Sequence, residues 1–186
     1  MKISIIIPTY NNIDYLKFFL TSLKNNSLYQ HEIILHINDG SDGTLNFAIK
    51  NNIKYSHSEN NIGLCSSMNR AYLLTTTNYI LYAHDDMFFC KNWDFYLVNE
   101  INEYKNNLYY LSGTNVSTRH GLINYDCGSS VNDFNESKFD KFCLEDNTPN
   151  LQSSHWAPHL IHKELWDKIK GFSEEFNPGD GSDPDF

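Results

Sequence analysis

The sequence predicts an α/β fold, a single domain with a mostly parallel central sheet flanked by helices. Short apolar runs that suit buried strands alternate with segments whose apolar residues recur every three or four positions. Loops rich in Asn, Asp, Gly and Ser separate these elements, as is typical of turns. A chain of 186 residues with 40% hydrophobic composition corresponds to one domain that can bury a sizeable core.

The strands are predicted from short apolar and β-branched runs that end in polar turn residues. These runs are Lys2–Ile7, Glu32–Ile37, Ile53–His57, Tyr79–Ala83 and Leu108–Leu111. Pro8 is expected to stop the first of them. Because the early strands are joined through helices, we expect them to run parallel.

The helices are predicted from apolar residues at helical spacing. They are Tyr15 to Asn25 with Asn12 or Asp14 as the cap, Thr44–Lys50, Gly63–Leu74, Trp93–Tyr104 and His162–Lys170. Residues 115–150 are rich in Ser, Asn, Asp and Gly, which predicts a ribbon or loops. A long irregular stretch of this kind is often a substrate-binding loop.

The chain is acidic, with a net charge of −9 and a pI near 5.2. No cluster of Lys and Arg is present to neutralise a duplex, so we expect no nucleic-acid partner, and a phosphate ligand would need help from a metal. The apolar run before Pro8 is too short for a signal peptide. No stretch approaches the roughly 20 apolar residues of a membrane span, so we expect a cytoplasmic chain.

The cysteines and histidines do not form a recognisable metal motif. No Cys-x-x-Cys pair occurs among the cysteines, which favours reduced thiols in a cytosol; they are Cys65, Cys90, Cys127 and Cys143. His155, His159 and His162 have a spacing that would suit zinc, but Pro158 interrupts them and no His-Glu-x-x-His pattern is present. We expect surface histidines instead.

The most informative stretch is Tyr79–Met87, in which an apolar strand ends abruptly in His84, Asp85 and Asp86. In open α/β sheets ligands bind outside the carboxyl ends of the strands, and adjacent carboxylates there can hold a hard cation. The alternative is that the two aspartates only form a turn or cap a helix.

Several segments together resemble the family 2 glycosyltransferases of the GT-A fold, which move a sugar from a nucleotide diphosphate sugar to an acceptor hydroxyl. The resemblance runs through the chain in family order. It rests on Ile5–Asn11, Asn38–Thr44, Asn61–Gly63 with Asn69, His84–Asp86, Gly171–Phe176 and Ser182–Phe186.

The resemblance implies a nucleotide site and a cation of the Mn²⁺ or Mg²⁺ kind. Asp86 matches the family's metal ligand, with Asp85 in reserve and His84 in the place of the acid that contacts ribose. Thr9 and Asp39 match residues that grip the base, although Asp39 could instead fix its own Gly-Ser turn. The full set of implied nucleotide contacts is Thr9, Tyr10, Asn11, Asp39, Asn61, His84 and Asp85.

Two positions depart from the family pattern. His84 replaces the first acid of the Asp-x-Asp motif, and a site that has lost its metal is the alternative that this replacement leaves open. Met68 stands where the family carries an Arg that faces the nucleotide, and Arg70 lies on another side of the helix. We therefore assign no functional role to Met68.

The carboxyl-terminal segment matches the family's region for the acceptor and the catalytic base. Asp183 takes the place of the base, with Ser182 where the family has Glu, and a direct displacement would invert the anomeric carbon. Asp183 and Asp185 could instead cap a helix. His155, Trp156 and Asp185 are further candidates on the acceptor side.

The sequence therefore predicts a metal-dependent, inverting glycosyltransferase of the hexosyl or N-acetylhexosaminyl type, with UDP as the favoured carrier and a glycan or other hydroxyl acceptor. We expect a nucleotide-sugar half over residues 1–112 and an acceptor half over 113–186 that is truncated relative to the family. The main alternative is a module that binds the nucleotide sugar without turnover. A nucleotidyltransferase would need a Gly-rich loop with Lys or Arg early in the chain, and residues 8–12 supply neither.

Overall fold

The computed structural model describes residues 1–118, 123–145, 157–179 and 181–182. Six strands form one mixed sheet in the order β3-β2-β1-β4-β8-β5, and β6 and β7 pair separately. The strands are β1 Ser4–Tyr10, β2 Glu32–Asn38, β3 Lys54–Ser58, β4 Tyr79–Tyr82, β5 Tyr110–Ser112, β6 Val116–Ser117, β7 Ile123–Asn124 and β8 His159–His162. The helices are α1 Ile13–Asn26, α2 Thr44–Lys50, α3 Leu64–Tyr72, α4 Trp93–Glu103, α5 Glu136–Glu145 and α6 Lys163–Ile169, and a 3₁₀ turn spans Glu174–Phe176.

The parallel half of the sheet is covered on both faces. β1 pairs in parallel with β2 and β4, and β2 pairs in parallel with β3. Ile5 and Ile7 enter one apolar cluster with residues of α1, whereas Ile6 enters a second cluster with residues of α3 and α6. Burial on both faces explains why β1 is an unbroken apolar run. The predicted mostly parallel α/β sheet is confirmed.

β1 continues through Pro8, beyond the predicted stop. β1 pairs with β4 only from Ser4 to Ile6, where Ile6 lies opposite Tyr82. Past that point β1 pairs with β2 alone, and one side of the strand has no hydrogen-bonded neighbour. Proline, which has no backbone N–H to donate, is tolerated at such a position. The chain segments that follow β1 and β4 therefore separate, which leaves room between them.

β8 was not predicted from the sequence, and His159 is not the surface histidine that was expected. β8 runs antiparallel between β4 and β5, with Leu160 opposite both Leu81 and Leu111. Only two apolar residues lie between its terminal histidines, which is too short a pattern to reveal a strand. His159 is buried rather than on the surface, and α6 begins after His162, whose Nδ1 accepts the Glu164 N–H at 3.2 Å.

The second missed element is α5, which lies in the stretch predicted as a ribbon or loops. None of its residues is fully buried, and only Phe139, Phe142 and Cys143 recur at helical spacing, which is too short a pattern to reveal a helix in this polar stretch. α5 docks instead through a ring contact of 5.8 Å between Phe88 and Phe139 and a 3.3 Å ion pair between Lys91 and Asp140.

The structure also bears on the predictions about disulfides and membrane spans. All four cysteines are free. None of the helices in the described ranges combines the length and apolar content that a bilayer crossing requires.

Asp94 ties the start of α4 to the segment before β2. Its fully buried carboxylate accepts the Leu28 and Tyr29 N–H groups at 3.0 and 2.8 Å, and it lies 3.0 Å from His31 Nε2. His31 Nδ1 accepts the Ile3 N–H at 3.3 Å, so Nε2 is the nitrogen that donates to Asp94. One carboxylate thus accepts from the buried His31 ring and from three backbone N–H groups, the third being that of Phe95 at 3.0 Å.

We predict that Asp94→Ala lowers the free energy of unfolding by about 2–4 kcal/mol, because it leaves the buried His31 ring and several backbone N–H groups without their acceptor. Urea denaturation measures the change. Asp14→Ala is the control, since the Asp14 side chain is 85% exposed and its loss should matter little. Equal stabilities of the two variants would contradict the role assigned to Asp94.

Because His36 is buried, we expect the stability of the fold to decrease at acidic pH. His36 Nδ1 lies 2.7 Å from Ser56 Oγ, and burial, helped by the charges of Arg70 and His57, lowers the pKa of His36 from 6.5 to about 4. Between pH 6.5 and 4 the His36 imidazole is therefore protonated in the unfolded chain but neutral in the folded chain. The contribution of the neutral His36 to the free energy of unfolding is complete above pH 6.5 and is lost as the pH falls toward 4.

We predict that His36→Gln flattens the decline in unfolding free energy between pH 6.5 and 4, whatever its effect on stability at neutral pH. Urea melts of both proteins across that pH range provide the measurement. Parallel pH profiles for the wild type and the variant would show that His36 is not the group responsible.

Candidate functional site

A cavity of about 320 Å³ opens at the carboxyl ends of β1, β2 and β4. It occupies the room between the segments that follow β1 and β4. Residues predicted for the nucleotide and metal site form much of its wall, namely Thr9, Tyr10, Asn11, Asn61, His84, Asp85 and Asp86. The remaining lining residues are Pro8, Asn12, Asn38, Gly63, Leu64 and Pro178.

Asp39 is not part of the cavity wall, but it is bonded to a residue that is. Asn11 Nδ2 donates to Asp39 Oδ2 at 2.9 Å, and Asn11 Oδ1 accepts the Gly40 N–H at 3.0 Å. Asp39 also fixes its own turn, because Oδ1 accepts the Ser41 N–H at 3.1 Å. The Asn11 amide, followed by Ser41, holds the pKa of the Asp39 carboxyl below its usual range. The loops after β1 and β2 thus form one connected unit with an accessible carboxylate.

The two aspartates after β4 have different surroundings. Asp86 is exposed, whereas Asp85 is turned toward the loop after β1, where its Oδ1 accepts the Asn12 amide at 3.1 Å. His84 Nε2 is hydrogen-bonded to the hydroxyl of the buried Tyr82. That contact sets the orientation of the His84 ring at the cavity wall.

Two buried oxygens at this place have no hydrogen-bond partner of normal geometry among the described residues, Thr9 Oγ1 and Asp85 Oδ2. Burial raises the pKa of the Asp85 carboxyl, and the neighbouring Thr9 and Asn12 side chains oppose that rise. An orphaned carboxylate oxygen beside the exposed Asp86 is a donor set that fits a hard cation.

The described residues contain no group of three or more His, Cys, Asp or Glu side chains arranged to hold a metal. A cation here would therefore take one or two protein carboxylates and complete its shell from a bound molecule and water. Magnesium-type ions commonly bind in that way when the substrate carries phosphates.

Asn38 holds the wall opposite β4 and was not predicted as a site residue. Its Nδ2 donates to Ser67 Oγ on α3 at 3.0 Å, and its Oδ1 accepts the Ile62 N–H at 2.9 Å and the Ser58 hydroxyl at 3.1 Å. Asn61 Oδ1 accepts the Gly63 N–H at 2.9 Å. The place of Asn38 as the last residue of β2 was the signal that could have identified it.

Asn12 occupies the N-cap position of α1, but its side chain does not cap the helix as was predicted. It stands at the N-cap position without a side-chain cap bond, because its amide is turned to Asp85. The Ile13 N–H donates instead to Asp42 Oδ2 at 2.9 Å. Asp14 lies inside the helix.

The remaining candidates divide between the core and the undescribed residues. Met68 is fully buried in the apolar cluster between the sheet and α3, and it does not line the cavity. His155, Trp156, Asp183 and Asp185 lie outside the described residues. Ser182, which precedes Asp183, is buried, and its hydroxyl donates to the Gly179 carbonyl at 2.7 Å.

Solved structures share this architecture. TarS 1–349 from S. aureus is 20% identical with a TM-score of 0.69 over 98% of this chain, and its complex with UDP is 18% identical with a TM-score of 0.70. The mannosyltransferase PcManGT from Pyrobaculum calidifontis, in complex with GDP-Man and Mn²⁺, is 15% identical with a TM-score of 0.59 over 93% of this chain and 48% of its own. The chain spans 53% of the TarS 1–349 chain.

These likenesses confirm the predicted GT-A type of α/β fold. No curated protein sequence matches the chain. Residues 4–157 match the family described as Glycosyl transferase family 2. Since that range covers most of the sequence, the chain belongs to glycosyl transferase family 2.

Proposed function

We propose that this chain binds a nucleotide diphosphate sugar in the cavity and transfers the sugar to an acceptor hydroxyl. The observation that carries the proposal is the convergence of the predicted nucleotide and metal residues on one cavity at the carboxyl ends of β1 and β4. TarS 1–349 has been solved with UDP and with UDP-GlcNAc, which favours UDP as the carrier and a hexose or N-acetylhexosamine as the sugar.

The nucleotide would lie across the joined loops after β1 and β2. The accessible Asp39 carboxylate would accept a hydrogen bond from the ring N–H of uracil. Tyr10, which is 53% exposed, offers an aromatic face at the cavity wall. His84, oriented by Tyr82, would donate to or accept from a ribose hydroxyl.

A divalent cation, Mn²⁺ or Mg²⁺, fits the donor set around Asp86. The exposed Asp86 would hold the ion, and Asp85 with its orphaned oxygen would be the second ligand. PcManGT was solved with both GDP-Man and Mn²⁺, which supports the same pairing here. A bound cation would offset the charge that develops on the departing diphosphate.

Asp183 is the proposed general base. It would take the proton of the acceptor hydroxyl as that oxygen attacks the anomeric carbon, and a single displacement would invert the configuration there. Assistance by a positioned carboxylate contributes about 10² to 10⁴ in rate. The assignment is supported by the place of Asp183 in the carboxyl-terminal segment that resembles the family's region for the base. In this proposal residues 1–112 hold the donor and residues 113–186 serve the acceptor.

A second candidate is a module that binds the nucleotide sugar without turnover. It is favoured by His84, whose ring is bonded to Tyr82 where the family has an acid, and by the burial of Met68. Donor turnover distinguishes the two candidates, because binding alone would release no nucleotide.

We predict that the chain releases nucleoside diphosphate from UDP-GlcNAc, UDP-glucose or GDP-mannose when Mn²⁺ is present, and that a chelator abolishes the release. Asp183→Asn should lower turnover by about 10² to 10⁴ because it removes the base. UDP binding should be unchanged in this variant. Coupled detection of released UDP or GDP measures the rate.

Asp14→Asn is the matched control, since this exposed aspartate is absent from the cavity wall. Its turnover should equal that of the wild type. Binding of UDP without turnover of any donor by the wild type would favour the second candidate. Full turnover in Asp183→Asn would refute the assigned base.

A further inference from the structure

The side chain of Asn177 caps α3 from a distant part of the chain. Its Oδ1 accepts the Cys65 N–H at 3.1 Å and the Ser66 N–H at 3.5 Å, and its Nδ2 donates to Ser66 Oγ at 2.8 Å. Gly63 stands at the N-cap position and has no side chain to satisfy these donors. Asn177 therefore supplies the side-chain cap that Gly63 cannot provide.

Further bonds hold the same segment along α3. Ser66 Oγ donates to Glu174 Oε2 at 2.7 Å, and Asn69 Nδ2 donates to Glu174 Oε1 at 3.1 Å. Asn69 also accepts the Phe172 N–H at 3.0 Å and donates to the Phe172 carbonyl at 2.9 Å. The segment from Phe172 to Pro178, which we call the strap, thus follows α3 from Leu64 to Asn69.

The strap ends at the cavity. The Leu64 N–H donates to the Pro178 carbonyl at 2.8 Å, and both residues line the cavity. A Cβ at Gly63 would lie 2.3 Å from Asn177 Oδ1, so only glycine permits this approach. Gly179, next along the chain, accepts the bonds of Ser182. Asp183 follows Ser182 in the sequence.

We propose that Asn177 is a positioning residue, which fixes the strap and the chain that follows it relative to the donor cavity. The inference rests on the proposed function. Neither Asn177 nor its partners Cys65 and Ser66 line the cavity, so the contact itself lies outside the proposed nucleotide site. What depends on it is the placement of the segment that leads to the proposed base. Misplacement of a catalytic group by about 1 Å can cost about 100-fold in rate.

The test compares Asn177→Ala with Asn177→Asp. The alanine variant should lower turnover at saturating donor by about 10- to 100-fold, because the strap loses its cap contacts. Its affinity for UDP in the presence of Mn²⁺ should stay at the wild-type value. The aspartate variant keeps an acceptor for the Cys65 and Ser66 N–H groups and should recover most of the rate.

Asn107→Ala is the matched control. Asn107 accepts the Tyr79 hydroxyl at 3.4 Å and donates to Glu164 Oε2 at 3.2 Å, so its loss also removes contacts between elements, but away from the cavity. Turnover and UDP affinity should both stay at wild-type values in this variant. Thermal melting of every variant reports any general loss of stability.

The outcomes separate the two proposals. Unchanged turnover in Asn177→Ala, an equal loss of turnover in Asn107→Ala, or a loss of UDP affinity in Asn177→Ala would each overturn the role of Asn177. No UDP binding and no turnover by the wild type would instead overturn the proposed function itself.

Discussion

The parallel pairing of β1 with β2 on one side and β4 on the other is the constraint on which the site depends. The register places Tyr10 opposite Asn38 at one end of β1 and leaves β4 to stop opposite Ile6. Three chain segments therefore leave the sheet at one edge, and the earlier end of β4 opens the space between them. The cavity is a consequence of strand length and register before any side chain is considered.

The chemistry of the cavity wall then limits what it can bind. Its described lining contains aspartates, asparagines and a histidine but neither Lys nor Arg, within a chain of net charge −9. A diphosphate would meet carboxylates there, so neutral amides and backbone donors alone would not favour it. A cation held at Asp86 would resolve the conflict, and the orphaned oxygen of Asp85 would be available to it as a further ligand. This is why the nucleotide and the metal are proposed together.

The parts of the fold that could be predicted are those with a strong local pattern. β1 and β4 are apolar because both sheet faces are covered, and the polar run His84–Asp86 marks the end of a strand. β8 escaped prediction because its two apolar residues are too few to show a period. α5 escaped because its contacts are scattered aromatic rings and one ion pair. The roles of Asn12 and Asn177 depend on partners far along the chain, Asp85 and Cys65, which spacing cannot reveal.

The most direct measurement is a calorimetric titration of UDP, GDP and dTDP into the chain, with Mn²⁺ and with a chelator. We expect UDP to bind in Mn²⁺ and the chelator to abolish that binding. Asp86→Asn should weaken UDP binding strongly, whereas Glu103→Gln, a change at an exposed residue of α4, should have no effect. Failure of all three nucleotides to bind in Mn²⁺, or UDP binding that is equally strong in chelator, would contradict the proposed metal-dependent nucleotide site.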